Sequence, residues 1–174
     1  MRRFFAIVDD PETLIFTFVR NPYARIVSCY RDKNEKYPIG TYGGSVSFVK
    51  DLQGFFGPRL SALDADKPLP FTWFAEMACE IARSGTNGHW LATDRLLPVS
   101  DVQCGFTGRV EQFDGDVKVV SDRLGVAPPI GGKMNASGPP IKLSDWITPS
   151  IKDRIRSAYN EDFERFQYST AIPN

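Results

Sequence analysis

The sequence predicts an α/β domain in which helices flank a mostly parallel sheet. An apolar run of β-branched and aromatic residues at 14–19 is followed at once by a helical pattern, and the same order recurs over 104–124. The chain has 174 residues and is 42% hydrophobic, which is enough to bury one substantial core. We therefore expect a single domain over residues 1–174.

The first strand and the first helix are joined directly. Leu14–Val19 is almost continuously apolar, which is typical of a strand buried on both faces of a parallel sheet. Asn21 is a suitable N-cap, and Pro22 suits the first helical position. The apolar residues that follow at helical spacing are Tyr23, Ile26, Val27 and Tyr30. The pattern predicts a strand, a tight turn and a helix, with ligands at the carboxyl end of the strand.

The middle of the chain is mostly helical in pattern. Residues 37–45 are rich in Gly and Pro and predict a loop. Residues 46–56 favour a helix that is interrupted at Gly54, and residues 71–83 favour a second helix.

A second strand and helix are expected near the C-terminal third. Residues 104–110 favour a buried strand, and residues 112–124 favour a helix closed by Gly125. Residues 129–140 form a Gly/Pro-rich loop. Thr148 is the expected cap of a final helix with an inward face that we assign to packing. That face comprises Ile151, Ile155, Ala158, Tyr159, Phe163, Phe166 and Tyr168.

Composition excludes several classes of partner. Lys+Arg and Asp+Glu balance at 21 each, so no global field attracts nucleic acid or anionic lipid. Three cysteines without a CxxC pair, and a single histidine, indicate neither a disulfide framework nor structural zinc. No long apolar run predicts a membrane segment. Any anion site must therefore be built from particular arginines.

One candidate anion site lies at the first strand–helix turn. Arg20 falls where the strand ends and the helix begins, a place where unpaired backbone N–H groups already favour an anion. Ser28 falls beside Arg25 and away from the apolar stripe, so its hydroxyl could serve the same anion. The alternative is that Arg20 pairs with an acid such as Asp32 and that Ser28 is an ordinary surface residue.

The wider pattern resembles the sulfotransferase family that includes the Golgi carbohydrate sulfotransferases. The 3′-phosphate motif of that family fits Arg20, Pro22, Arg25, Val27, Ser28, Tyr30, Arg31, Asp32 and Lys33. Further matching blocks are Gly88-His89-Trp90, residues 106–111 with Asp116, residues 133–137, and the C-terminal Tyr-x-x-Asp-Phe-x-x-Phe-x-Tyr at 159–168. The resemblance therefore covers nearly the whole chain.

The resemblance implies a P-loop-NTPase-like three-layer fold and transfer of a sulfuryl group from 3′-phosphoadenosine 5′-phosphosulfate (PAPS) to a hydroxyl of a carbohydrate acceptor, without a metal. It assigns the donor's 3′-phosphate to Arg20, Ser28 and Arg25. The polar residues Lys133, Asn135 and Ser137 fit a lid over the donor, or else a solvated loop without a role.

The catalytic base is expected to be an imidazole, and His89 is the only one in the chain. Trp90 is expected to stack on an acceptor sugar. The alternatives are that this pair forms a packed structural corner, or that the base lies upstream of the phosphate motif. Asp94 is a weaker candidate base, and Glu111 is assigned a structural role.

The family's Lys-x-x-x-Thr/Ser loop for the 5′-phosphosulfate has no match before Leu14, so the chain is expected to be N-terminally truncated. A complete chain would be cytoplasmic, whereas a missing upstream segment would carry a Golgi-type membrane anchor. A non-catalytic fragment or pseudoenzyme that binds adenosine 3′,5′-bisphosphate or glycan is the competing function. A P-loop nucleotide kinase is less favoured because Gly-x-x-x-x-Gly-Lys-Ser/Thr is absent.

Overall fold

The protein is described by a computed structural model, and its residues form two compact units. The described residues are 10, 12–35, 37–41, 46–84, 87–96, 104–129 and 142–173. The strand unit contains the described residues up to Arg20 together with 104–129, and the helical unit contains those of 21–96 and 142–173.

The helices and strands follow one another in an order that agrees with the predicted α/β class. In chain order they are β1 (Phe16–Val19), α1 (Pro22–Lys33), α2 (Val46–Phe56), α3 (Phe71–Glu80), α4 (Thr93–Leu96), β2 (Phe106–Arg109), α5 (Phe113–Leu124), α6 (Pro149–Ala158) and α7 (Asn160–Arg165). Short 3₁₀ turns lie at Ile39–Thr41, Gly57–Ala62, Val110–Gln112 and Leu143–Asp145.

The strand unit is a parallel β1–β2 pair followed by α5, as predicted, but both strands are shorter than predicted, and β2 is not buried throughout because Thr107 is exposed. Phe16 lies opposite Phe106, and Val19 lies opposite Arg109. The predicted burial of β1 on both faces is wrong at its start, because Phe16 is 44% exposed. Among the described residues β1 has β2 as its only hydrogen-bonded neighbour, so the start of the strand lacks the cover of a central strand.

Gly108 is required for packing in β2. A Cβ at this position would lie 2.5 Å from the Phe18 ring of β1, which is closer than real Cβ contacts allow. After β2, α5 is closed by Gly125, which adopts a left-handed φ of 66° and confirms the predicted C-cap.

The start and the buried face of α1 are as predicted. The Asn21 side chain accepts the N–H groups of Tyr23 at 3.0 Å and Ala24 at 3.4 Å, which caps the helix. The predicted apolar stripe is buried, and the Tyr30 hydroxyl donates to the Leu69 carbonyl at 2.8 Å. Local sequence signals therefore set this helix, and packing holds it.

Two predicted helices differ in extent from those in the structure. Gly54 does not interrupt α2, because burial of Phe48, Leu52 and Phe56 on one face offsets the cost of about 1 kcal/mol that a helical glycine carries. The helix predicted over 71–83 ends at Glu80. Beyond it the Ala82 carbonyl accepts the Ala92 N–H at 2.8 Å, a bond to a distant segment that replaces a further helical turn.

The C-terminal helix predicted as one element is two helices that break at Tyr159. Thr148 caps α6 by accepting the Ile151 N–H, as predicted. Tyr159 leaves the helical conformation with φ −115° and ψ 26°, and its side chain is fully buried. Its hydroxyl donates to the Trp90 carbonyl at 2.5 Å, so a tertiary contact accompanies the break.

The three cysteines, Cys29, Cys79 and Cys104, are free thiols. Burial raises the pKa of Cys29 and of Cys79 to about 12, which keeps both as neutral thiols at neutral pH. Within the described ranges, no helix has the length and apolar character needed to cross a membrane.

Candidate active site

The residues predicted to bind the donor's phosphate are found at the ends and faces of regular elements. Arg20 is half-buried and directly follows β1, at the carboxyl end of the strand. Ser28 is half-exposed on α1, on the side away from the buried stripe. Because Arg20 belongs to the strand unit and Ser28 to the helical unit, their joint action on one phosphate stays a prediction.

His89 lies on the segment between α3 and α4, and that segment is folded back on itself. The Asn87 side chain accepts the His89 N–H at 3.1 Å, and the Asn87 carbonyl accepts the N–H groups of Trp90 and Leu91. The imidazole is exposed. The backbone of this turn is thus fixed while the ring remains open to a substrate.

The surroundings of His89 favour its neutral form. Partial desolvation of the ring lowers the pKa of His89 below its ordinary value, and the cations Lys33 and Arg25 lower it further, against an opposing effect of Asp32. A neutral imidazole at pH 7 is the form that can accept a proton.

The Arg25 side chain links the His89 segment to α1, because its Nη2 donates to the Gly88 carbonyl at 3.0 Å. Arg25, Ser28 and Asp32 are spaced by three and four positions, so they share a helix face. On this face Arg25 lies one turn before Ser28 and Asp32 lies one turn after it, and the charges of both act on His89. The Arg25 contact therefore connects the turn that carries His89 to α1, while an approach of His89 to Ser28 stays a prediction.

The predicted role of Trp90 is wrong. The indole is 1% exposed and packs edge-to-face against Phe48 at 5.4 Å and Phe74 at 5.8 Å, so it cannot stack on a sugar. The alternative of a packed corner is correct for this residue. Trp90 anchors the segment in the core directly beside the exposed His89.

Arg25 has partners within the chain on both sides of His89. Its Nη2 donates to the Gly88 carbonyl at 3.0 Å, and its Nη1 donates to the Thr93 hydroxyl at 3.0 Å. The side chain is 14% exposed, and Nη1 lies 3.8 Å from the Asp162 carboxylate. The guanidinium thus ties α1 to the His89 segment, while its predicted contact with the donor stays a prediction.

Asp162, the acid of the C-terminal motif at 159–168, was assigned no role from the sequence, and it is buried at 2% exposure in the helical unit. Its carboxylate accepts the N–H groups of Thr93 and Asp94, each at 2.8 Å, at the start of α4. A usable signal was present, because Asp162 is adjacent to the inward-facing Phe163 and three positions after Tyr159.

Asp94, the weaker candidate base, faces other charged side chains. The pKa of Asp94 is raised to about 6, chiefly because the carboxyl is desolvated. A hydrogen bond with Glu161 and the charge of Asp162 also raise this pKa, whereas the charge of Arg83 lowers it. Arg83 lies 3.6 Å from Asp94 and 2.7 Å from Glu161. The Asp94 side chain is 9% exposed, which leaves little access for an acceptor hydroxyl.

Of the remaining predicted residues, the structure describes only Glu111. Lys133, Asn135 and Ser137 lie outside the described residues. Glu111 is exposed in the 3₁₀ turn after β2, in the strand unit. Within the described ranges, no group of three or more His, Cys, Asp or Glu side chains could hold a metal ion.

Comparison with known proteins agrees with the resemblance read from the motifs. A sequence model of the sulfotransferase family matches residues 8–169, which include residues of both units and every described residue of the site. No curated protein and no solved structure matches the chain. Since the match covers nearly all of the sequence, the predicted resemblance is confirmed, and the chain belongs to the sulfotransferase family.

Proposed function

We propose that the protein transfers a sulfuryl group from PAPS to a hydroxyl of a carbohydrate. The observation that carries the proposal is an exposed histidine, His89, on a turn that the Arg25 side chain links to α1, the helix that bears Ser28, within a chain of the sulfotransferase family. A proton acceptor next to a phosphate-binding helix is the arrangement that transfer from a nucleotide donor to a hydroxyl needs.

Donor recognition centres on the end of β1 and on α1. Arg20 at the end of β1 offers a planar fork of donors to the 3′-phosphate, and the Ser28 hydroxyl adds a further donor from α1. The family resemblance adds Lys133, Asn135 and Ser137 as further candidates for contact with the donor. The family resemblance implies a P-loop-NTPase-like three-layer fold, in which ligands bind at the carboxyl ends of parallel strands.

The reaction is an in-line displacement at sulfur. The acceptor oxygen forms a bond to sulfur while the bond between sulfur and the 5′-phosphate oxygen breaks, which releases adenosine 3′,5′-bisphosphate. His89 takes the proton that the acceptor hydroxyl loses. Charge develops on the transferring oxygens and on the leaving phosphate, so fixed cations and N–H donors supply much of the rate enhancement.

Calorimetric titration with adenosine 3′,5′-bisphosphate tests donor recognition, and 5′-AMP serves as the ligand without the 3′-phosphate. We expect binding that requires the 3′-phosphate. Arg20→Ala should weaken that binding by ~1.5–3 kcal/mol, because a charge-assisted hydrogen bond is lost.

Arg154→Ala, which removes an exposed arginine of α6, is the matched control and should leave the affinity unchanged. Equal binding of both nucleotides, or no effect of Arg20→Ala, would contradict the assigned phosphate site.

A further inference from the structure

A buried carboxylate from the C-terminal segment reaches the His89 segment. Asp162 is 2% exposed, and its two oxygens accept the N–H groups of Thr93 and Asp94 at 2.8 Å. A buried charge is costly unless fixed donors surround it, so this carboxylate holds the start of α4 firmly in place.

Arg25 extends this link to the other side of His89. Its Nη1 lies 3.8 Å from Asp162 and donates to the Thr93 hydroxyl, while Nη2 donates to the Gly88 carbonyl. These contacts of Arg25 therefore fix Gly88, directly before His89, and Thr93, the first residue of α4. The Asp162 carboxylate lies 3.8 Å from the guanidinium that makes these contacts.

Tyr159 adds a contact to the residue directly after His89. It lies three positions before Asp162, and its hydroxyl donates to the Trp90 carbonyl at 2.5 Å. Between them, Arg25 and Tyr159 bond the backbone carbonyls on both sides of His89. The exposed ring is thus carried on a backbone that buried groups hold from within the unit.

We propose that Asp162 is a positioning residue, which holds Arg25 and the start of α4 and thereby sets the position of His89 relative to α1, the helix that carries Ser28. The proposal rests on the proposed function for its effect on turnover. Asp162 has no contact with substrate in this scheme, because it is buried behind the segment that it holds.

Asp162→Asn tests the proposal through steady-state kinetics. The amide keeps the size of the side chain but removes the charge that Arg25 faces and one of the two acceptors. We expect kcat to fall by ~10- to 100-fold, since misplacing a catalytic group by about 1 Å has an effect of this size, while KM for the donor changes little.

Glu164→Gln is the matched control, because it removes an exposed carboxylate two positions away on the same helix. It should leave kcat unchanged. An equal loss of kcat in both variants, or an unchanged kcat in a folded Asp162→Asn protein, would overturn the proposal.

A second readout does not depend on turnover. His89 is the only histidine in the chain, so NMR titration of its imidazole needs no assignment. The charges that act on this ring are Lys33, Arg25 and Asp32. If Asp162 holds Arg25 in place, Asp162→Asn should raise the pKa of His89 toward its ordinary value, because a cation moves away.

Arg25→Gln should produce the same rise, and it keeps the test decisive if Asp162→Asn fails to fold. The double variant should add nothing further. A pKa of His89 that is unchanged in both single variants would overturn the positioning role. The outcome is separable from failure of the proposed function, which would appear in the wild-type protein as absence of binding of adenosine 3′,5′-bisphosphate.

Discussion

Two arginine–carboxylate networks of the helical unit use adjacent acids, and they differ in burial. Glu161 pairs with Arg83 at 2.7 Å, and its side chain is 48% exposed. Asp162 lies 3.8 Å from Arg25 but is 2% exposed and also accepts two backbone N–H groups. The shorter ion pair competes with water, whereas the longer one belongs to a buried network of fixed donors. Burial, more than ion-pair distance, therefore identifies the network that holds the site.

Removing each acid gives the largest expected difference between the two networks. Asp162→Ala should lower the free energy of unfolding by ~3 kcal/mol, because it leaves the N–H groups of Thr93 and Asp94 and the Arg25 guanidinium without their acceptor. Glu161→Ala should have little effect, since water replaces an exposed partner.

Urea unfolding of both variants at neutral pH measures this difference. Equal losses of stability would break the comparison, because they would mean that burial does not distinguish the two networks.

A smaller effect is expected on the pH dependence of stability, because Asp94 interacts with both Glu161 and Asp162. The folded state raises the pKa of Asp94 from 3.8 to about 6, so it binds a proton that the unfolded chain releases. Asp94 therefore makes the free energy of unfolding decline as the pH rises through this interval. Asp94→Asn removes that decline, so the variant should gain stability relative to wild type between pH 4 and pH 7.

Glu161→Gln provides the control with the opposite sign, because the pKa of Glu161 is lowered, chiefly by its hydrogen bond with Arg83. Its contribution to stability is present above its unfolded pKa and is lost as the pH falls. Denaturant unfolding at pH 4 and at pH 7 measures the free energy of unfolding of both variants. A difference from wild type that is constant with pH would contradict the assigned environment of Asp94.

The sequence was most informative where the determinants are local. Asn21, Thr148 and Gly125 were predicted as helix ends, and the structure confirms all three. A cap depends on hydrogen bonds within a few residues or on backbone conformation at one position, so residue type and spacing are sufficient to place it.

The errors concern residues with environments set by distant parts of the chain. Trp90 was expected at the surface, but its burial depends on Phe48 and Phe74, which reach it from α2 and α3. Asp162 was matched as part of the C-terminal motif but given no role, because an acid in a helical pattern is usually solvated and its backbone partners lie 68 and 69 positions away. Such contacts have no local signature.

The measurement that tests the central claim most directly is release of adenosine 3′,5′-bisphosphate from PAPS in the presence of a panel of carbohydrate acceptors. We expect acceptor-dependent release by the wild-type protein. His89→Ala should lower kcat by ~10²- to 10⁴-fold with donor affinity retained, because a general base is removed while the phosphate site remains. A wild-type protein that binds the bisphosphate but releases none with any acceptor, or a His89→Ala variant that retains full turnover, would contradict the account.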